Sequence, residues 1–464
     1  MSYDYDLFVI GAGSGGIRSA RLAAQLGKKV AIAEEYRLGG TCVIKGCIPK
    51  KILFYASQYS EHLQDCLGFG WRVGQYDFDW KALISAKDNE ISRLENLYRD
   101  ILSRVGVDIL QARASLVDSH TIHLENMNRA VTARHIVIAS GSSPNRMEAM
   151  PGHEFCITSD EIFFLEKLPE SILILGSGYI AVEFANILHG FGVKTILLHR
   201  GKEVLSQFDS DIRQGLTRAM IDKGISIISE DHIKAIFQKG MCLEAETKSG
   251  KSILVDQVLL ATGRKPNTGN MGLERAGVEI DSRNAICTNE YFQTNIQSIF
   301  AIGDVINRVQ LTPVAIHEAM CFVETVFKNN PVFPDYDCIP TAVFSQPEVA
   351  CVGLTEEAAM ATFPSLEIYK AQFKPMKSTL SMRSDYTIMK LIVNSVDRKV
   401  LGVHILGHVA SEMIQVIGVC VKAGCSKDDF DRCIAVHPTA AEELVTIYSP
   451  SYYIKDGCKV SYQS

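Results

Sequence analysis

No stretch of the 464-residue chain approaches the roughly 18 consecutive apolar residues of a membrane-spanning helix, so no membrane partner is expected. The start, Met1-Ser-Tyr-Asp-Tyr-Asp, leads straight into an apolar strand and has neither the basic nor the apolar part of a targeting peptide. Cysteine is sparse. Thirteen residues, an odd number, fall far below the density of a disulfide-built scaffold and fit a reducing, cytoplasmic setting. Positive charge is not in excess: 47 basic against 53 acidic residues give −6, which excludes nucleic-acid binding driven by bulk charge. No cysteine pair has the spacing and histidine company of a zinc site, so no metal is expected. The chain is 47% hydrophobic and 22% charged, which excludes disorder, and at about 150 residues per domain it holds roughly three.

What is present is a repeated plan. Tyr5–Ile10 reads as a buried strand, followed by a glycine turn, a helix over Ile17–Leu26 and a strand at Val30–Ala33. The plan recurs as strand Ser171–Leu175, turn Gly176–Ala181, helix Val182–Phe191 and strand Lys194–Leu198. Each copy later reaches a similar ending, Ile136-Val-Ile-Ala-Ser-Gly141 and Val258-Leu-Leu-Ala-Thr-Gly263. Trp80–Val105 has long helical spacing. From Ile339 the composition shifts to alternating strands (Ile388–Val393, Val400–Leu406) and an apolar helix, Glu412–Ala423. The predicted architecture is α/β: two Rossmann-like dinucleotide-binding domains plus a C-terminal α+β domain. Its expected divisions are residues 1–141, 142–265, 266–336 (completing the first domain) and 337–464.

Gly11-Ala-Gly13-Ser14-Gly-Gly16 is G-x-G-x-x-G after a strand and opening a helix, where glycine lets the backbone approach a pyrophosphate on the helix N-terminus. Glu34, ending the next strand, can accept ribose hydroxyls. In the second turn, Gly176-Ser-Gly178-Tyr179-Ile-Ala181, alanine takes the third glycine position. No acid ends its following strand; His199-Arg200-Gly-Lys202 stands there instead. An acid would repel a 2′-phosphate, whereas Arg200 can pair with one, so NADP(H) is expected over NAD(H). Two dinucleotide sites in one chain suggest electron transfer between two cofactors, most simply FAD and a nicotinamide.

Gly39-Gly-Thr41-Cys42-Val-Ile-Lys-Gly46-Cys47-Ile-Pro49-Lys50-Lys51 follows the first unit. On a distorted helix start the two thiols could close into a disulfide, and the helix dipole with nearby lysines would make a thiolate available. A second pair, Cys420 and Cys425, ends the apolar stripe Met413–Cys420 and reads as small core residues.

With Ala-Thr-Gly-Arg264-x-Pro-Asn, Ala-Ile-Gly-Asp304, Leu-Thr312-Pro and His437-Pro-Thr-Ala-Ala-Glu442-Glu443, these motifs make the chain resemble the FAD-dependent pyridine nucleotide–disulfide oxidoreductases of the two-cysteine class. The likeness runs from Tyr5 to about Ser449, and within the family points to members that reduce glutathione disulfide with NADPH. It implies that Cys42 attacks the substrate and Cys47 faces the flavin. It implies a Lys50–Glu183 ion pair beside the flavin and Tyr179 as cover of the nicotinamide pocket. Gly11, Gly13, Ser14, Gly16, Glu34, Thr41, Gly141, Asp304 and Thr312 fall on FAD positions, and Gly176, Gly178, Ala181, Arg200 and Arg264 on NADPH positions. Arg21, Tyr98, Arg18 and Ser14 fall where substrate binds. His437, oriented by Glu442, would be the acid/base of the other subunit in a homodimer. From the sequence alone, His437 could equally be a neighbour of a helix cap, with Pro438 as the first helical residue and Glu442 and Glu443 as first-turn acids.

Two departures stand out. The family often has a second NADPH arginine where this chain has Ser206, with Lys202 nearby, and many members have a substrate arginine where this chain has Met320. Arg18 and Arg21, three apart on one helix face, supply positive charge instead. Dihydrolipoamide dehydrogenase is the nearest rival activity, but it calls for an acid near Arg200. Mercuric reductase and the large thioredoxin reductases call for more cysteine in the tail than Cys458. From another class, a flavoprotein sensor without turnover is disfavoured by the intact thiol pair.

Overall fold

In the computed structural model, which describes residues 2–461, β1 (Tyr5–Ile10) is buried along its length except at Asp6. A strand apolar on both sides must be covered on both faces. The glycine turn follows, and α1 (Ser14–Gln25) leads to β2 (Val30–Glu34), which pairs with β1 in parallel. On the other side of β1 lies Arg129–Ile138, also parallel, and Asp108–Gln111 extends the sheet beyond β2. Between these strands run α2 (Gly40–Ile44), α3 (Cys47–Asp65) and α4 (Trp80–Arg104).

The second copy of the plan is β3 (Ser171–Leu175), α5 (Tyr179–Gly190), β4 (Lys194–Leu198) and α6 (Ser210–Lys223). Its parallel sheet has the order Ser226–Ile228, β4, β3, Gln257–Leu260, Ile157–Thr158. The chain then returns to the first sheet, where Ile299–Ala301 pairs with Arg129–Ile138. Next comes α7 (Thr312–Phe327), which crosses α1 so closely that a Cβ on Gly15 would lie 3.2 Å from the Ala315 carbonyl oxygen.

The C-terminal part is an antiparallel seven-stranded sheet in the order Thr341–Val343, Glu348–Gly353, Val400–Gly407, Thr387–Asn394, Ser365–Phe373, Tyr452–Lys455, Cys458–Ser461. It carries α8 (Glu356–Thr362), the central β5 (Thr387–Asn394) and α9 (Ala410–Lys422). One face buries Met389, Leu391, Val403 and Ile405 against Ile414, Ile417 and Val421 of α9. On the other, Ile388 and Leu406 join the core of the second unit with Ile212 and Leu216 of α6. Every residue of β5 is therefore buried, Lys390 included.

Helices α1 and α5 each begin three residues before the sequence pattern indicates, at Ser14 and Tyr179. Apolar periodicity starts only where a helix meets the core, and these first turns face a crevice instead. No described helix is long and apolar enough to cross a membrane.

Candidate active site

The two glycine turns separate what the fold needs from what it does not. Gly11 has φ +101° and a Cβ there would lie 2.5 Å from the Ala139 oxygen; at Gly16 a Cβ would lie 2.0 Å from the Gly11 oxygen. Both must be glycine for the turn to exist. Gly13 is different. Its φ of −80° and ψ of −170° suit any residue, and the nearest atom to an added Cβ is 4.0 Å away. The second turn repeats this: Gly176 is required (φ +136°, 2.3 Å from the Ala261 oxygen), while Gly178 would meet nothing within 4 Å. Ala181 fits the third position, fully buried. Neither α1 nor α5 has a capping side chain or an acid in its first turn. Two helix starts with free N–H groups and a glycine the protein itself does not require fit two dinucleotide pyrophosphates.

At the first, Glu34 accepts the Ala12 and Tyr36 amides at 2.8 and 2.9 Å, and burial raises its pKa. Such a carboxylate keeps lone pairs for ribose hydroxyls. At the second, Arg200 and Lys202 are exposed and make no hydrogen bond or ion pair among the described residues, while Ser206 adds no charge. Gly141 (φ +71°) precedes Ser142, whose hydroxyl donates to Asp304 at 2.6 Å. Arg264 grips that same serine through Nε (2.8 Å to Oγ) and Nη2 (2.6 Å to the carbonyl oxygen). Arg264, placed on the nicotinamide side from sequence, thus bridges toward Asp304 of the first domain. Tyr179 stands at the head of α5. Burial pushes its phenol up to about 12, and it feels the charges of Arg264, Glu183, Asp304 and Cys47.

The thiols come next. Gly39 and Gly40 have φ of +109° and +62°, and a Cβ on Gly40 would lie 2.6 Å from the Gly13 α-carbon. These glycines let α2, with Thr41 and Cys42, lie against the first dinucleotide turn. At Gly46, a Cβ would come 2.6 Å from the Thr41 oxygen, so the chain breaks there and restarts as α3 with Cys47 first. The cysteines sit on two successive helices, with Cys47 at a positive helix terminus. Its sulfur lies 3.6 Å from the Thr312 hydroxyl at the head of α7. One turn on, Lys50 bonds Glu183 of α5 at 2.8 Å; the side chains are 11% and 4% exposed. Glu183 also accepts the Phe344 amide at 3.0 Å, and the Lys50 ammonium lies 3.7 Å from the Phe344 ring centre. Breaking this pair would strand a buried charge.

The pair shares one proton unequally. A hydrogen bond from the Cys42 thiol, with help from Thr312 and Lys50, lowers Cys47 to about 6. The same bond, burial and the Cys47 charge raise Cys42 well above the usual thiol range. In the reduced pair this direction favours the thiolate on Cys47 and the proton on Cys42.

Beside Cys42 lie Ser14, whose hydroxyl is within bonding reach, and Tyr98 of α4, raised by burial and by the Cys42 charge. Arg18 and Arg21 join Tyr98; burial and the Arg21 charge lower Arg18. Neither arginine has an ion-pair partner among the described residues, and Arg21 Nε is buried with no hydrogen bond. Met320 is half-exposed on α7. His437 Nδ1 lies 3.0 and 3.2 Å from the Glu442 carboxylate oxygens, and its side chain is 81% exposed. Pro438 does not open a helix. Thr439 caps the 440–442 turn by accepting the Glu442 amide, so His437 stands outside it with Nε2 turned away from its carboxylate. Exposed Ile434 and Val436 flank it. The sequence reading missed Phe344 and Ser142; Phe344 follows no local pattern, while Ser142 directly follows the Ala-Ser-Gly141 ending. Cys420 and Cys425 lie together at the end of α9, packed on the C-terminal core.

A pyridine nucleotide-disulphide oxidoreductase model matches residues 5–319, and that family's dimerisation-domain model matches residues 339–448. The chain belongs to the pyridine nucleotide-disulphide oxidoreductase family. The glutathione reductase of Burkholderia cepacia is 45% identical over 96% of this chain and 98% of its own length, and that of Nostoc sp. is 42% identical over 96% and 100%. A trypanothione reductase of Trypanosoma congolense is 36% identical over 99% and 98%. His437 and Glu442 fall inside the dimerisation-domain match.

Two outcomes follow from this geometry. Gly13→Ala folds with an unchanged thermal midpoint for the cofactor-free protein but loses flavin on purification, whereas Gly16→Ala lowers the midpoint itself. In the reduced protein, thiolate absorbance near 240 nm rises with a midpoint near pH 6, because the lowered Cys47 group ionises above that value. Lys50→Met moves the midpoint upward.

Proposed function

We propose that the protein is a homodimeric reductase that uses NADPH and FAD to convert glutathione disulfide into two glutathiones through Cys42 and Cys47. The observation that carries the substrate class is the pair of guanidiniums, Arg18 and Arg21, gathered around Tyr98 next to Cys42, neither with an ion-pair partner among the described residues. Glutathione disulfide is rich in carboxylates and suits this face; a cationic disulfide such as that of the trypanothione enzymes does not. Full-length similarity to two glutathione reductases supports the same reading. The four-part division at residues 141, 265 and 336 is retained, supported by the return of Ile299–Ala301 to the first sheet. Thirteen cysteines, a low and odd number for 464 residues, suit a reducing cytoplasm.

FAD, held by the Gly11–Gly16 turn, Glu34, Thr41, Asp304 and Thr312, would supply two-electron transfer from a reduced nicotinamide to the Cys42–Cys47 disulfide. Tyr179 covers the nicotinamide side and swings aside for it; Arg200 and Lys202 take the 2′-phosphate. The reduced pair then holds one thiolate on Cys47 and one proton on Cys42. His437 of the partner subunit, fixed by the partner's Glu442, accepts the Cys42 proton. The Cys42 thiolate attacks one sulfur of glutathione disulfide. The S–S bond breaks, a Cys42–glutathione disulfide forms, and the departing thiolate takes the proton back from the imidazole. Cys47 then attacks the Cys42 sulfur, releasing the second glutathione as a thiolate and restoring the protein disulfide. Arg18, Arg21 and Tyr98 hold the substrate during both displacements.

The test is NADPH oxidation by the purified protein with glutathione disulfide, with lipoamide and NADH as controls. Saturable turnover only with NADPH and glutathione disulfide is expected; preferred turnover of lipoamide with NADH would overturn the reading. Cys42→Ser abolishes disulfide turnover and leaves reduction of the flavin by NADPH intact.

A further inference from the structure

The loop that follows β4 carries Arg200 and Lys202, and it is anchored from a different part of the molecule. Its upper end is tied to the second glycine turn: Leu205, at φ +55°, donates its amide to the Ser177 oxygen at 2.8 Å. Its lower end is held by Arg213, in the first turn of α6. Nη1 donates to the Phe208 oxygen at 2.8 Å and the Ser206 oxygen at 3.4 Å, Nε reaches Glu203 at 3.1 Å, and Nη2 reaches Glu357 of α8 at 3.3 Å. One guanidinium thus joins three points of the loop to the C-terminal sheet domain. Four directed contacts in one plane suit arginine and no other cation.

A second anchor lies beneath the first. Lys390 of β5 is 0% exposed and donates to Asp209 at 2.8 and 3.0 Å and to Asp211 at 2.8 Å, and reaches Glu356 at 2.5 Å. Asp209 caps α6 and also accepts the Glu356 amide at 3.0 Å, while Tyr452 donates to Glu356 at 2.7 Å. Asp209 stands one residue after Phe208, so the loop ends on a charge cluster that spans two domains and whose centre, Asp209 and Lys390, is fully buried. Arg213 has its charge balanced by Glu203 and Glu357, so it is placed to fix the loop and not to bind an anion itself.

We propose that Arg213, anchored by Glu357 and backed by Lys390, is a positioning residue for the adenosine 2′-phosphate: it holds the Arg200–Lys202 loop in register in a chain that has Ser206 where a second arginine would stand. The proposal rests on the NADPH reading above. Preorganisation raises affinity by removing the cost of ordering the loop when the phosphate arrives.

The holoenzyme is assayed with NADPH and with NADH at saturating glutathione disulfide. Arg213→Gln is expected to raise the NADPH KM about tenfold, with kcat, the disulfide KM and the NADH KM unchanged, so that the NADPH-to-NADH preference falls by the same factor. Arg213→Lys keeps the charge but not the fork, and is expected to be as weak as Arg213→Gln. Glu357→Gln, at the exposed end of the bridge, shifts the preference in the same direction by about threefold. Full rescue by Arg213→Lys would make Arg213 a direct phosphate ligand and overturn the proposal. So would equal losses with NADPH and NADH, or an unchanged preference in both Arg213→Gln and Glu357→Gln. A wild-type protein without NADPH preference would overturn the cofactor reading itself.

Discussion

Gly40 lies against Gly13 so closely that any side chain on it would strike the first dinucleotide turn. Everything chemical in the molecule follows from that contact. It brings α2, and with it Cys42, onto the helix start that suits a pyrophosphate. The break at Gly46 then lets Cys47 begin α3 beneath Thr312. One turn later Lys50 reaches across to Glu183 on α5, so a buried ion pair joins the thiol helix to the second dinucleotide unit. Two glycine turns, a dithiol and a paired lysine are thereby brought together, the proximity a two-electron relay would require.

That relay has a missing end within a single chain. Cys42 keeps its proton because Cys47 takes the charge, and the described contacts of Cys42 include no base. His437 has its carboxylate, its fixed ring and an outward Nε2, but faces solvent. Apolar Val416, Val419, Ile434 and Val436 are also largely exposed in the same C-terminal domain. In the proposed homodimer a two-fold axis would answer both at once, covering these side chains and bringing the imidazole of one subunit to the thiol of the other.

Much of this was legible in the sequence because it depends on backbone shape. The glycine turns, the strands flanking them and the Cys42–Cys47 spacing are local, and Tyr5–Ile10, Ser171–Leu175 and Lys194–Leu198 appear at the residues the pattern indicates. Roles carried by long-range packing were not legible without the family likeness. Nothing near Lys50 names Glu183 or Phe344 as its neighbours, and nothing near Arg264 shows that Ser142 holds it. Helix starts were read late because their first turns face a crevice and lack the apolar spacing that marks a core-facing helix. Pro438 suggested a helix start that Thr439 in fact provides two residues beyond His437, since a side-chain oxygen was needed to accept the Glu442 amide.

The cross-subunit site is the central claim, and subunit mixing tests it directly. Cys42→Ser and His437→Ala proteins are each inactive as homodimers. Unfolded together and refolded, half of the dimers combine one of each, and every such hybrid holds one site with an intact Cys42 facing an intact His437. The account predicts that the mixture regains about a quarter of wild-type glutathione disulfide turnover. A mixture that forms hybrids yet stays inactive would place thiol and base in the same chain and contradict it.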